Sequence, residues 1–487
     1  MPDIHYVCLS DMHLGAANSL LTNLKTASSD TDPSAPSPVL LKLVGCLREL
    51  IEMNADPDAT RPTLILNGDI LEFALAGDND ALMCFERFID LIAPQGKKGL
   101  FDRILYIPGN HDHHLWETAR ETQYADFLSQ NPIAAWGSAK IPPPWHVTNL
   151  FGFPQKLLRS FFLTSFLQRR QDIKASGTII ETAYPNLGLR REDGKRIVLF
   201  HHGHFTEDMY LLMSRLRMIL FPKGPGLPAD IWGWEEENFA WIDFFWSTLG
   251  RSGAVGKGVG SIYEKLQDDR QVKMLLDNLA AGLAKKFDLP LVPGSLEAGL
   301  IGAALEKLVE QIRSLERTKP GVSLSDESQK GLWRYLEGPL SRQIRNELAV
   351  EQISRDVSFV FGHTHKPFEQ DMNFDGYPGW VHVYNSGGWV VDTVNRQYQH
   401  GGSVILLDEN LGMAALRMYN ERDKVEQYKV QVSEANHPGD EPGEFFSEIS
   451  MRIGKNRALW EDFSKTVARA VSVRAEDLRA RINSPCL

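Results

Sequence analysis

Five short polar signatures run through the chain in a fixed order: Asp11-Met12-His13, Gly68-Asp69, Gly109-Asn110-His111-Asp112, His201-His202-Gly203-His204 and Gly362-His363-Thr364-His365. Carboxylates, imidazoles and a neutral amide oxygen are donors that divalent cations take when they promote hydrolysis, and a pair of ions needs one ligand that bridges them. In Asp11-Met12-His13 the two outer side chains can point to the same side of an extended or turning backbone, so a carboxylate and an imidazole reach one ion together. Asn110 offers an amide oxygen, His111 a proton. Gly68 leaves room for the backbone to come close to the site.

Each signature follows, or nearly follows, a short apolar run, as residues do when several strands end at one edge of a sheet. Strands are expected over 4–9, 63–66, 103–107, 196–200, 357–361, 380–384 and 404–407, rich in Val, Ile, Leu and Tyr. Helix-period segments at 39–53 and 81–92 alternate with the first of them. From 205 to 353 helical patterns take over, with Ile262, Leu266, Leu275, Leu276, Leu279 and Leu283 in one amphipathic run and Leu300, Leu305, Leu308, Ile312 and Leu315 in another. The expected organisation is a core in two parts, 1–204 and 354–420, a helical insertion at 205–353 and a helical extension at 421–487. The insertion holds a dense aromatic stretch at 230–246, which suits packing onto the core as well as a site for an apolar substrate group or a membrane surface. The glycine-rich piece 250–260 misses the phosphate-loop spacing around Lys257 and reads as a flexible connection.

With 63 acidic against 52 basic residues the net charge is -11, which argues against broad binding to nucleic-acid backbone. Four cysteines without paired spacing fit a reducing compartment. No secretory start is visible and no run reaches the roughly 18 apolar residues of a membrane span, so a cytoplasmic location is expected.

Taken together, the order DxH, GD, GNHD, H and GHxH resembles that of the calcineurin-like metallophosphoesterase superfamily, over 1–204 and 357–418. The resemblance implies an α/β fold, a four-layer α-β-β-α metallophosphoesterase sandwich, here with a large helical insertion. It implies two divalent metal ions, manganese first, with iron, zinc or nickel compatible with the same donors. One ion would be held by Asp11, His13, Asp69 and His365, the other by bridging Asp69 with Asn110, His202 and His363. His202 matches the family's single histidine because it precedes a glycine, His201 and His204 being the alternatives; His201 is expected on the opposite side of its strand. The implied reaction is in-line attack of a metal-bridging hydroxide on a phosphoester or pyrophosphate. His111 would stabilise the transition state or protonate the leaving oxygen, oriented by a carboxylate for which Glu72 matches the position in some branches. A first-turn helix carboxylate is the plainer alternative for Glu72. Asp112 would orient backbone around Asn110.

The segment 67–78 is similar to the UDP-2,3-diacylglucosamine hydrolase branch, which cleaves a nucleotide pyrophosphate in lipid A synthesis. The chain departs from it with His202-Gly203-His204 where that branch has HGD, and it is about twice as long. The expected substrate is therefore a small-molecule phosphate, nucleotide-linked or lipid-linked. The stretch 153–170, apolar with basic flanks, suits peripheral membrane contact or an ordinary amphipathic helix. Ser10 to Gly15 also resembles the start of double-strand-break repair nucleases of the superfamily, which makes a metal-dependent nuclease the rival enzyme, against the acidic charge. A metal-bearing scaffold recruiting partners through the aromatic insertion is the non-enzyme alternative. The helical tail 444–482 suits oligomerisation or packing on the sheet; the sequence leaves the oligomeric state open.

Overall fold

The computed structural model describes residues 2–25, 30–56, 61–131, 144–154, 157–252, 316–437 and 439–483. The two amphipathic runs at 262–283 and 300–315, and Lys257, lie outside the described residues. The apolar runs become strands of two sheets. The first carries β1 (Tyr6–Leu9), β2 (Thr63–Asn67), β3 (Arg103–Ile107), β4 (Leu158–Arg159), β5 (Ile180–Thr182), β11 (Gly401–Leu407), β12 (Met413–Asn420) and β13 (Gln431–Ser433), in the order β13-β12-β11-β1-β2-β3-β5-β4. The second carries β6 (Asn186–Arg190), β7 (Arg196–His201), β8 (Asp356–Phe361), β9 (Phe368–Met372) and β10 (Val381–Asn385), in the order β6-β7-β8-β10-β9.

Parallel pairing is what gathers the signatures. β1, β2 and β3 run parallel, with Leu9 beside Leu66 and Asn67 beside Ile107, so their carboxyl ends fall at one edge. β7 and β8 run parallel with Phe200 beside Val360, although they are far apart in sequence. Ligands from both sheets thus leave strand ends on a common side, where α/β sheets place their sites.

Three apolar clusters define four layers. Cys8, Ile65, Leu105 and Ile107 of the first sheet meet Leu187, Val198, Phe200 and Val360 of the second in the middle. The outer face of the first sheet packs on helices that include Pro38–Glu52, Asp78–Ile92 and Arg457–Asn483. The outer face of the second packs on helices Ile231–Trp241, Asp326–Tyr335 and Ser341–Leu348. This is an α-β-β-α sandwich. The helix Pro38–Glu52 illustrates the local cause: Ser37 caps it by accepting from the Leu40 N–H, proline stands in the first turn, and Val39, Leu40, Leu43, Leu47, Leu50 and Ile51 form its buried stripe.

Of the tail's expected roles, packing is present. Trp460, Phe463, Val467 and Val471 of Arg457–Asn483 join the same cluster as Leu43 and Leu47. Arg452, 1% exposed, binds Glu448 and reaches the carbonyls of Leu50 and Pro2 and the amide oxygen of Asn54, so the tail is tied to the chain start. The aromatic stretch also packs: Trp234 and Trp246 are buried in the cluster under the second sheet. Among the described residues of the stretch 153–170 only Phe161–Leu167 is helical; Leu163 and Leu167 are buried and Phe162 is 39% exposed. Among the described residues no helix is long and apolar enough to cross a membrane.

Candidate metal centre

The first two signatures are stitched by backbone bonds from Asp11 N to the Gly68 carbonyl (2.9 Å) and from His13 N to the Asp69 carbonyl (2.9 Å). The fourth and fifth are stitched by Gly362 N to the His202 carbonyl (2.7 Å). Side chains then lock one sheet to the other, as Asp11 Oδ1 accepts from His363 N at 2.9 Å. Two glycines make the approach feasible. A Cβ on Gly68, whose φ is +84°, would lie 2.3 Å from the His202 ring, and one on Gly362 would lie 2.0 Å from Asp11 Oδ2. The backbone itself is strained here: Asp11, His13, Asp69, His363 and His365 all have φ between 44° and 68°, in the left-handed region that side chains avoid.

The seven expected ligands converge. Asp11, His13 and His365 offer donor atoms within 4.8 Å of one another, and so do Asp69, His202 and His363. Asp69 Oδ2 joins the second set to the first, 3.3 Å from His202 Nε2 and 3.8 Å from His13 Nε2. Asn110 Oδ1 lies 3.1 Å from His202 Nε2. All seven side chains are buried.

Each imidazole is oriented from behind. His13 Nδ1 donates to Glu72 (2.7 Å), His365 Nδ1 to Asp392 (2.5 Å), His363 Nε2 to Glu207 (2.7 Å) and His202 Nδ1 to the Asn67 carbonyl (3.4 Å). In the neutral rings these partners fix the tautomers and leave a lone pair on each remaining nitrogen. Those lone pairs face each other: His13 Nε2 and His365 Nε2 are 3.2 Å apart, His202 Nε2 and His363 Nδ1 3.3 Å. Asp11 Oδ2 is buried with no hydrogen-bond partner among the described residues. Converging lone pairs and an unsatisfied carboxylate oxygen fit divalent cations, with orienting groups of the kind that metal-bound histidines use.

The local field also calls for positive charge. Burial disfavours a charged His202, but Asp69 and Asp11 outweigh it and raise the ring to about 9. Burial likewise opposes charge on His365, and Asp392 with Asp11 raises it to about 9. Burial, helped by the charge of the neighbouring histidines His202 and His363, holds His201 and His204 well below the usual range. The His201 ring packs tilted against Tyr335, centroids 4.6 Å apart, and accepts from Gly203 N, while His204 packs 4.4 Å from Phe205. The geometry therefore brings His202 to the donors and leaves its two neighbours in the packing.

Glu72 does more than its expected part. Its Oε1 accepts from His111 Nδ1 (2.8 Å) and from the N–H groups of Ala74 and Leu75, while Oε2 accepts from His13. Burial opposes its ionisation, yet His111 and His13 hold it below the ordinary carboxylate range. His111 itself is raised, because Glu72 and Asp69 outweigh burial. Asp112 faces backbone: it accepts from the N–H groups of Asp69, Ile70, Leu71 and Gly109 and from the Tyr106 hydroxyl. Its carboxylate orients the second and third signatures rather than joining the donors. Asp392 and Glu207 were not singled out in the sequence. Neither sits in a motif, and only the fold brings Asp392 to His365 or Glu207 to His363.

Residues 4–233 match the model of the family described as calcineurin-like phosphoesterase. That span takes in four of the five signatures, and the fifth joins them in space. No curated protein matches the chain. Among solved structures, one described as the crystal structure of phosphopantetheinyl hydrolase from Mycobacterium tuberculosis aligns with 80% of this chain and 90% of its own, at 11% identity and a TM-score of 0.20, too loose a likeness to bear on fold or substrate.

Proposed function

We propose that this calcineurin-like phosphoesterase, a metal-dependent phosphohydrolase, works with two ions that share Asp69, and that its substrate is a small-molecule phosphate, nucleotide-linked or lipid-linked. The observation that carries the dinuclear reading is Asp69 Oδ2, which belongs to the donor set of His202 and His363 and also lies 3.8 Å from His13 Nε2 of the other set. Asp11, His13, Asp69 and His365 would hold one ion, and Asp69, Asn110, His202 and His363 the other. Two divalent cations supply a nucleophile from water at neutral pH and neutralise charge on phosphoryl oxygens. The chain's own residues do the rest. His111, its Nδ1–H committed to Glu72, keeps Nε2 to give a proton to the leaving oxygen, and its raised pKa keeps that proton available near neutrality. Glu72 holds His111 and His13 in one frame, so the acid and a metal ligand keep a fixed relation.

Protein supplied with Mn²⁺ is expected to hydrolyse bis(p-nitrophenyl) phosphate or p-nitrophenyl phosphate, to lose the activity on chelation and to regain it with added metal. Hydrolysis of neither ester, or activity indifferent to chelation, would overturn the reading. A panel of nucleotide-diphospho-lipids, cyclic dinucleotides and single-stranded DNA then ranks the substrate classes, the last standing for the nuclease alternative.

Peripheral membrane contact is a second reading, favoured by a different element from the stretch 153–170. At the end of helix Leu212–Leu220, Ile219, Leu220 and Phe221 are 73%, 70% and 64% exposed, a contiguous apolar ridge. Leu220→Asp/Phe221→Asp is expected to abolish flotation with anionic liposomes, while Phe161→Asp/Phe162→Asp leaves it in place. Absence of wild-type flotation sinks the idea.

A further inference from the structure

Apart from the seven expected ligands, a further set of interior donors stands behind the third signature. His113, the residue after Asp112, lies at the start of helix His114–Gln130, Glu117 in the first turn of that helix, and Glu235 on helix Ile231–Trp241. Donor atoms of the three lie within 4.8 Å of one another. His113 and Glu235 are fully buried, and the Glu117 side chain is 13% exposed. None of them has a part in the proposed hydrolysis.

Each donor is held from behind, as the imidazoles of the candidate metal centre are. Tyr184 donates its hydroxyl to Glu235 Oε2 at 3.0 Å, while Glu235 Oε1 faces His113 Nε2 at 2.7 Å. Arg120 donates twice to Glu117 Oε2, from Nη2 at 2.6 Å and from Nε at 2.9 Å. Glu117 Oε1 is left buried with no hydrogen-bond partner among the described residues. His113 Nδ1 has none either; it faces Asp243 Oδ1 at 3.6 Å, an oxygen to which His114 Nδ1 stands closer, at 3.1 Å.

A charged His113 clamped between Glu235 and Asp243 is the plainer arrangement, and those carboxylates do outweigh burial and raise the ring to about 10. That ion pair gives Glu117 Oε1 nothing, and a buried carboxylate oxygen without a donor is costly. A divalent cation serves all three residues at once. His113 Nε2, Glu235 Oε1 and Glu117 Oε1 become its ligands, and the Nδ1–H keeps Asp243 as its acceptor, the carboxylate behind the ring that metal-bound histidines use. Three carboxylates, Glu117, Glu235 and Asp243, stand here with the single guanidinium of Arg120, so the local charge admits a cation.

We propose that His113, Glu117 and Glu235 form a third cation site, for a divalent ion of the class that zinc or manganese represents, with water completing the shell. The ion ties the helix that follows the third signature to helix Ile231–Trp241 of the insertion. Its role is structural and separate from the ions expected around Asp69.

Two measurements on the full chain test the site, with Zn²⁺ as the probe. After equilibration with excess Zn²⁺ and removal of free metal, mass spectrometry is expected to count one ion fewer in Glu117→Gln than in the wild type, and one fewer in Glu235→Gln. Both substitutions are nearly isosteric, and circular dichroism confirms that the variants are folded. The same loss of one ion is expected when Glu117→Gln is added to Asp69→Asn, so the count does not depend on how many ions the Asp69 centre holds. Anomalous diffraction at the zinc edge, from wild-type crystals grown with Zn²⁺, should place a peak among His113, Glu117 and Glu235, and it needs no variant. Equal ion counts in the folded variants, or no peak at this place, overturn the site and leave His113 in a plain ion pair. A peak here with none around Asp69 supports the site while the dinuclear proposal fails.

Discussion

Asp69→Asn is expected to lower kcat/KM by about 10³-fold or more and to reduce bound metal from two ions toward one or none. The change is nearly isosteric, so the fold should persist; what changes is charge and donor type. Asp69 Oδ1 accepts from His111 N at 2.8 Å, a bond that the amide oxygen of asparagine can keep. The other oxygen then becomes an NH₂ group facing His202 Nε2 and His13 Nε2, where Oδ2 now lies at 3.3 and 3.8 Å. Two N–H donors would point at the space between the donor sets and repel cations from both. Loss of about 4 kcal/mol of transition-state stabilisation, ordinary for metal polarisation of a phosphoryl group, corresponds to that factor. Metal content by mass spectrometry and steady-state kinetics on the same preparation check it. Unchanged activity with two ions retained would remove Asp69 from the bridging position and with it the dinuclear proposal.

The second large effect is expected from Glu72→Gln, about 10²- to 10³-fold in kcat/KM, because one side chain orients two histidines and each such partner is worth about 10- to 100-fold. Glu72 serves four donors with two oxygens: His111, Ala74 and Leu75 on Oε1, His13 on Oε2. Glutamine has a single acceptor oxygen, which the two backbone N–H groups and His111 would hold. Its NH₂ would then face His13 Nδ1 and turn that ring to the other tautomer, placing a proton on Nε2, the atom expected to meet the ion. The variant should therefore lose occupancy of one ion while Asp69 and His202 keep the other. Metal stoichiometry distinguishes this from simple loss of the acid: two ions retained with a slower reaction would mean that Glu72 acts only through His111. A His111→Asn control separates the two contributions, since it removes the acid and leaves His13 oriented.

How far the sequence reached can be judged residue by residue. The strand ends were legible because Val-, Ile- and Leu-rich runs bounded by glycine and polar residues set their own local structure; β3 spans Arg103–Ile107, as the pattern predicts, and β2 runs one residue past its expected end. The choice among His201, His202 and His204 was only narrowed by the glycine after His202. The structure separates them because alternate residues of a strand face opposite ways and because Gly68 opens space for one ring alone. The family resemblance offers Glu72 as the partner of His111, but its bond to His13 is not visible in any motif. For the tail, packing and oligomerisation are both legible in the sequence, and the cluster it shares with Pro38–Glu52 shows the packing.

The sequence by itself determined the chemistry of the donors, their order along the chain and the strand ends that carry them. These properties are local: residue type, an adjacent glycine and an apolar run suffice. Only the tertiary structure decided which groups stand behind and above those donors. Asp392 orients His365, Glu207 orients His363, and Trp246 arrives beside His111 from the segment between β7 and β8. Their positions follow from how two sheets and the helices over them pack, and that packing depends on the sum of many weak apolar contacts rather than on any short pattern.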